Sequence, residues 1–137
     1  MRVACDTAYD EADLAASADE LHRLADAVEA GEGRLGCTTS PGSEFAPNTL
    51  AEIEVRTSPG PGVLIRLGPG RRTLVVSGDA AGREALADNL RAMASADDGG
   101  HLHLDYFPGH FYLADGSIPL VVNSPHGGMP TAARQGG

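Results

Sequence analysis

The amino-acid sequence predicts an α+β fold in which one mixed, mostly antiparallel sheet is covered on one face by two helices. Two segments repeat apolar residues at helical spacing, and several short runs have the alternating or β-branched composition of strands. The chain has 137 residues, 42% of them hydrophobic, which is enough to bury a core without cross-links. We therefore assign residues 1–123 to a single domain and expect residues 124–137 to form a flexible C-terminal tail.

Both predicted helices have a clear start and a narrow apolar stripe. The first begins at Ser17–Glu20, a Ser-x-x-Glu capping box in which the hydroxyl and the carboxylate can satisfy free amide donors. Gly31 ends this helix, and the second helix follows Asp79. The stripes consist of Leu21, Leu24, Ala25 and Val28 in the first helix and of Leu86, Leu90 and Met93 in the second. Such narrow stripes predict helices that lie flat on a sheet.

Five runs of residues have the composition of strands. They are residues 50–57, 62–67, 73–77, 101–106 and 118–122. The turn-forming sequences SPGPG and GPGRR separate the first three runs, which favours an antiparallel meander of three strands. The segment before them, residues 36–49, has the composition of a long loop.

A weak internal repeat relates two parts of the chain. Residues 13–37 and 73–104 each predict a strand, a Ser-x-Asp segment, a helix, an acidic and glycine-containing break, and a second strand. If the repeat is real, two β-α-β-like units share one sheet through right-handed crossovers. The identities are few and rich in alanine, so coincidence remains the alternative.

The charge and composition narrow the classes of partner. The net charge is −9 and all ten basic residues are arginine, so non-specific nucleic-acid binding is not expected, whereas a basic protein would be attracted. No apolar run reaches the roughly 20 residues of a membrane span, and the N-terminal residues do not resemble a secretory signal. We therefore expect a cytoplasmic protein without a membrane partner, in which Cys5 and Cys37 are reduced thiols.

The most distinctive stretch is HLHLDYFPGH, residues 101–110. Side chains two apart along a strand project to the same side, so Leu102, Leu104 and Tyr106 are predicted to face the helices. His101, His103 and Asp105 would then face outward. The plainest interpretation is a solvated sheet face, which can also serve as a docking surface for another protein.

Two chemical alternatives for this stretch stay open. His101, His103 and Asp105 could bind zinc, although the three side chains form a line and no second ligand cluster is evident. A histidine paired with Asp105 could act as a general base, but no nucleophile is arranged beside them. The leading interpretation has neither a cofactor nor an enzymatic activity.

The second half of the chain resembles a known family. The sequences TLVVSGD, REALADNLRAM and GGHLHLDYFPGHFYLADGSIPLVV, spread over residues 73–123, are similar to small actinobacterial proteins grouped as immunity protein family 32 of bacterial polymorphic toxin systems. The resemblance implies a small α+β protein that binds and neutralises a toxin encoded nearby, without catalysis of its own. It implies no particular contact residues.

We therefore predict a binding protein of the immunity type with a protein toxin as its partner. The expected recognition surface is the outward face of residues 101–105 together with the loop FPGHFYLADG. The candidate contact residues are His101, His103, Asp105, Tyr106, His110 and Tyr112. The alternative is a small metal-binding protein or enzyme that uses His101, His103 and Asp105, and a homodimer formed through exposed strands is a further expectation.

Overall fold

The computed structural model describes residues 1–6, 11–37, 49–68, 70, 72–95 and 101–123. Eight strands and two helices lie within this part of the chain. In order they are β1 Arg2–Asp6, β2 Glu11–Ala15, α1 Ala18–Ala30, β3 Gly33–Gly36, β4 Glu52–Thr57, β5 Val63–Leu67, β6 Thr73–Gly78, α2 Ala80–Ser95, β7 His101–Leu104 and β8 Leu120–Asn123. The α+β class is confirmed. The predicted tail, 124–137, and most of the predicted loop at 36–49 lie outside the described residues.

The strands form two four-stranded sheets, not the single sheet that the sequence predicted. One sheet has the order β1-β2-β8-β7 and the other has the order β3-β4-β6-β5. Each sheet contains one parallel pair, β2 with β8 or β4 with β6, and its other neighbours are antiparallel. The prediction of a mixed, mostly antiparallel arrangement therefore holds for each sheet separately.

The internal repeat is visible as a repeated order of elements. Each half of the chain runs strand, strand, helix, strand, strand, so that β1 to β4 correspond to β5 to β8. The strand pairings correspond as well. Strand β2 pairs in parallel with β8, and its equivalent β6 pairs in parallel with β4, the equivalent of β8. However, the strands on either side of each helix belong to different sheets. The expectation of two β-α-β units within one sheet was therefore wrong, and each sheet instead combines a hairpin from each half.

The predicted three-stranded meander was also wrong. Strand β4 pairs with β6 in parallel, and β5 lies on the far side of β6. The five residues of SPGPG thus connect strands that are two positions apart, roughly 9.6 Å at the usual spacing of about 4.8 Å. Turn-forming residues reverse the chain direction but do not select the neighbour with which a strand pairs.

The start of each helix is fixed by a side-chain cap. Ser17 Oγ accepts a hydrogen bond from the amide of Glu20 at 3.1 Å, and Glu20 Oε1 accepts one from the amide of Ser17 at 2.8 Å, which confirms the predicted capping box. The amino group of Met1 and the Ser17 amide lower the pKa of Glu20 to about 2. At the start of α2, Asp79 Oδ1 accepts a hydrogen bond from the amide of Gly82 at 2.8 Å.

Side chains from both sheets and both helices form one hydrophobic cluster. The helices contact each other extensively, and the buried residues of the predicted stripes lie in this cluster. In the described part of the chain, neither helix is long and apolar enough to cross a membrane.

One buried arginine joins the two helices. Arg83, in the first turns of α2, is only 7% exposed, and its guanidinium donates hydrogen bonds to the carbonyl oxygens of Val28, Glu29 and Gly78 at 2.9–3.0 Å. Two of these carbonyls belong to the last turn of α1, where the helix dipole favours a positive charge. Gly31 ends α1 with a φ of +86°, and a Cβ atom there would lie 2.6 Å from Arg83 Nη1. A side chain at position 31 would therefore collide with the buried guanidinium and with Thr57 Oγ1.

Candidate partner-binding surface

Strand β7 places two imidazoles on the outer face of its sheet. His101 and His103 are exposed, Leu102 is half-buried and Leu104 is buried, as the period of two predicted. The strand ends at Leu104, two residues earlier than predicted. Beyond it, Asp105 is exposed and Tyr106 is half-buried.

His101 begins a hydrogen-bond chain that crosses three strands. Its Nδ1 lies 2.6 Å from Asn123 Oδ1 in β8, and Asn123 Nδ2 donates to Asp13 Oδ1 in β2 at 2.6 Å. The same Nδ2 also donates to the carbonyl oxygen of Leu14 at 3.0 Å. Since the amide nitrogen has two acceptors, the oxygen of Asn123 faces the imidazole and can only accept. In its neutral form, His101 therefore carries its hydrogen on Nδ1 and has its lone pair on Nε2.

The side chains of β7 do not form a three-ligand metal centre. Within the ranges that the structure describes, no group of three or more His, Cys, Asp or Glu residues could hold a metal ion. The rings of His101 and His103 are near each other, with centroids 6.2 Å apart. A site at β7 would thus use two imidazoles, not the set of His101, His103 and Asp105 that we considered from the sequence.

After β7 the chain makes a tight turn around Pro108 and Gly109. The amide of His110 donates to the carbonyl of Phe107 at 2.8 Å, and Gly109 has a φ of +90°. Positive φ at the third position of a turn that has proline at its second position is the pattern of a type II turn, which favours glycine there. This turn brings the His110 ring to 4.9 Å from the ring of Phe107, centroid to centroid.

His110 holds the next segment in place. Its Nδ1 accepts hydrogen bonds from the amides of Tyr112 at 3.1 Å and Leu113 at 2.9 Å. An imidazole nitrogen that accepts two amide hydrogens cannot carry a hydrogen itself, so the ring is held in the form with its hydrogen on Nε2. His110, a candidate contact residue, is half-buried and braces the loop from within.

The loop then docks against the edge of the second sheet. The carbonyl of Tyr112 accepts from the amide of Val63 at 2.7 Å, and the amide of Ala114 donates to the carbonyl of Val63 at 2.7 Å. Further along, Ser117 Oγ accepts from the amide of Ile65 and donates to the carbonyl of Val63. The loop thus covers the backbone of β5, the edge strand of that sheet.

Tyr112 is a structural member of the loop. It is 7% exposed, and its hydroxyl accepts a hydrogen bond from Asn89 Nδ2 in α2 at 2.6 Å. Burial raises the pKa of the Tyr112 phenol, so it stays protonated at neutral pH. Both tyrosines among the candidates line an open groove, and Tyr106 is the more exposed of the two.

Two phenylalanines project from this braced loop into solvent. Phe107 is 56% exposed and Phe111 is 88% exposed, and they are the exposed large hydrophobic residues of the described chain. Phe111 and Tyr106 line a groove of about 510 Å³ that is also lined by Gly60, Pro61 and Gly62. Asp79 Oδ2 accepts a hydrogen bond from the Gly62 amide at 3.1 Å and so helps to hold this glycine segment.

This loop was predicted from the sequence to belong to the surface, but its two phenylalanines were not among the predicted contact residues. The signal was present in the sequence, because FPGHF places large apolar residues on either side of a turn. Their exposure depends on how His110 and Tyr112 turn inward, which spacing alone does not reveal. Two carboxylates, Asp105 and Asp115, are exposed near the ends of the same loop.

Comparison with family models gives one match that bears on this surface. Residues 73–125 match the model described as Immunity protein 32, which confirms the resemblance over this segment. The matched segment runs from β6 through α2 and β7 to β8 and contains the whole loop, but it covers fewer than half of the 137 residues. Comparison with curated proteins and with solved structures gave no significant match.

Proposed function

We propose that this protein is an immunity-type protein that binds and neutralises a protein toxin, and that residues 105–116 are the centre of its binding surface. The observation that carries the proposal is the exposure of Phe107 and Phe111 on a loop whose backbone is fixed from behind. This loop lies within the segment that matches the Immunity protein 32 model.

Exposed aromatic side chains on a fixed loop have the properties of binding anchors. Burying a phenylalanine contributes about 1.5–3 kcal/mol, and aromatic residues are enriched at the energetic centres of interfaces. Because His110 and the edge of β5 already order the backbone, little conformational entropy remains to be lost on binding. The neighbouring groove, lined by Phe111 and the Gly60–Gly62 segment, gives a partner side chain a place to insert.

The charge of the protein indicates the kind of toxin surface that fits. The net charge is −9, and Asp105 and Asp115 are exposed beside the two phenylalanines. A basic toxin surface would be steered toward this side of the molecule and would find carboxylates around an apolar centre. We therefore propose that the partner presents arginine or lysine side chains around an apolar pocket.

Co-expression with a toxin tests the proposal. The probe is the toxic domain encoded by the gene adjacent to that of this protein, expressed from an inducible promoter in a bacterial host. Wild-type protein should restore growth. Phe107→Ala and Phe111→Ala should each weaken affinity by about 2 kcal/mol, roughly 30-fold in Kd, and the double variant should lose protection.

Matched controls separate binding from folding. His22→Ala changes another exposed ring, on α1, and should protect as the wild type does. Asp115→Arg should weaken protection, whereas Glu32→Arg, which makes the same change in net charge after the end of α1, should not. Full protection by a Phe107→Ala/Phe111→Ala protein that melts at the wild-type temperature would contradict the proposed surface.

A further inference from the structure

We propose that His101 and His103 form a binding site for one divalent ion of the zinc, nickel or copper class. The site is separate from the phenylalanine surface, and it stands or falls independently of the immunity function. It rests on the geometry of two imidazoles and on the hydrogen-bond chain behind one of them.

The two rings are close enough to share an ion. They project from the same face of β7, both are exposed, and their centroids are 6.2 Å apart. Imidazole nitrogen is a preferred ligand of these borderline metals, with Zn–N distances of about 2.0–2.1 Å, so small rotations of the two rings can bring both nitrogens to one ion. Water would complete the coordination of a site with two protein ligands.

The hydrogen-bond chain from His101 through Asn123 to Asp13 distinguishes this pair of rings from two solvated histidines. Metal-ligating histidines usually donate their second ring hydrogen to a neighbouring oxygen, which fixes the ring orientation and increases the basicity of the ligating nitrogen. Here Nδ1–H donates to Asn123, and Asn123 is oriented by its own bonds to Asp13 and to the Leu14 carbonyl. The lone pair of neutral His101 is therefore on Nε2 of an oriented and exposed ring.

The two cysteines among the described residues are poorly suited to bind the ion, and Cys5 is buried in the hydrophobic cluster. Cys37 is half-buried, and burial raises the pKa of its thiol, which disfavours the thiolate that a metal requires. His22 is exposed on α1 and provides a matched lone imidazole. These residues therefore make suitable controls.

Calorimetric titration of the full-length protein without a purification tag tests the site, with zinc chloride as the probe. We expect saturable binding of one ion per chain, lost in His101→Ala and in His103→Ala but unchanged in His22→Ala, Cys37→Ser and His126→Ala. Asn123→Ala should weaken zinc binding by about 10- to 100-fold, the usual effect of losing the group that orients a ligand.

A spectroscopic measurement separates ligation from a merely structural role. Long-range proton–nitrogen correlation spectra of the imidazoles should show His101 with its hydrogen on Nδ1 before zinc is added, and zinc should then shift the Nε2 resonances of His101 and His103. The proposal is overturned if wild-type protein shows no saturable binding, or if binding persists when both histidines are replaced. Unchanged affinity in a folded Asn123→Ala protein would overturn the role of the hydrogen-bond chain.

Discussion

At the scale of single residues, His110 shows why a candidate contact can be recognised in a sequence while its role is not. The sequence indicates a histidine in a proline–glycine turn, which is compatible with an exposed recognition residue. In the structure its Nδ1 accepts two backbone amides, and the ring lies 5.1 Å from Tyr112 in an edge-on contact. Which side of a turn a ring occupies depends on the path of the chain after it, and local spacing does not encode that path.

This role of His110 leads to a stability prediction. His110→Ala leaves the amides of Tyr112 and Leu113 without their acceptor, and we expect the free energy of unfolding to fall by about 1–2 kcal/mol. His110→Asn can place its Oδ1 where Nδ1 lies and should recover most of the loss. Urea unfolding followed by circular dichroism measures both values. Equal stability of the alanine variant and the wild type would show that the acceptor is not needed.

At the scale of elements, local signals predicted the helices well and the strand neighbours poorly. The capping box at Ser17 and the stop at Gly31 are short-range features, and both lie where the sequence indicated. The three-strand meander failed because β4 pairs with β6, a choice made by contacts between the two halves. Strand β1 was not predicted at all, since five residues at the chain start give little periodicity to detect.

Arg83 is the element-scale contact with the clearest energetic consequence. Its guanidinium joins α2 to the last turn of α1, and Arg83→Met would leave three carbonyl oxygens without this donor. We expect the variant to lose about 2–3 kcal/mol of unfolding free energy, because hydrogen bonds from a charged donor are among the stronger ones. Arg83→Lys should recover only part of this loss, since one ammonium group cannot reproduce the fork of donors.

The matched control for this prediction is Arg23→Met, which makes the same substitution at an exposed position of α1. It should change stability by less than about 0.5 kcal/mol. Chemical denaturation of all four proteins gives the comparison. A cost at Arg83 no larger than that at Arg23 would show that the buried guanidinium does not hold the helices together.

At the scale of the whole molecule, the repeated order of elements explains why the sequence could predict a repeat and still misplace its strands. The pattern of strand, helix and strand is local, and it was recognised at residues 13–37 and 73–104. The exchange of hairpins between the halves is not local. Each sheet takes two strands from each half. The first half on its own therefore lacks β8 and β6, the parallel partners of β2 and β4, and the second half on its own lacks β2 and β4.

Because each sheet combines a hairpin from each half, we expect neither half of the chain to fold without the other. Fragments 1–59 and 60–137, cut within the SPGPG connection, should each fail to unfold cooperatively as monomers, and mixing them should restore the circular dichroism spectrum and melting transition of the intact chain. Size-exclusion chromatography of the mixture should show a one-to-one complex. A monomeric fragment with a sharp melting transition of its own would contradict this dependence.

The most direct test of the proposed function is a hydrogen-exchange map of the protein with and without the toxic domain encoded by the adjacent gene. We expect the toxin to slow exchange of the amides from Asp105 to Phe111 and at Asp115 and Gly116, and to leave the exposed side of α1 unchanged. Slowed exchange confined to α1 or to the face of the sheet formed by β3 to β6, with none in residues 105–116, would contradict the account.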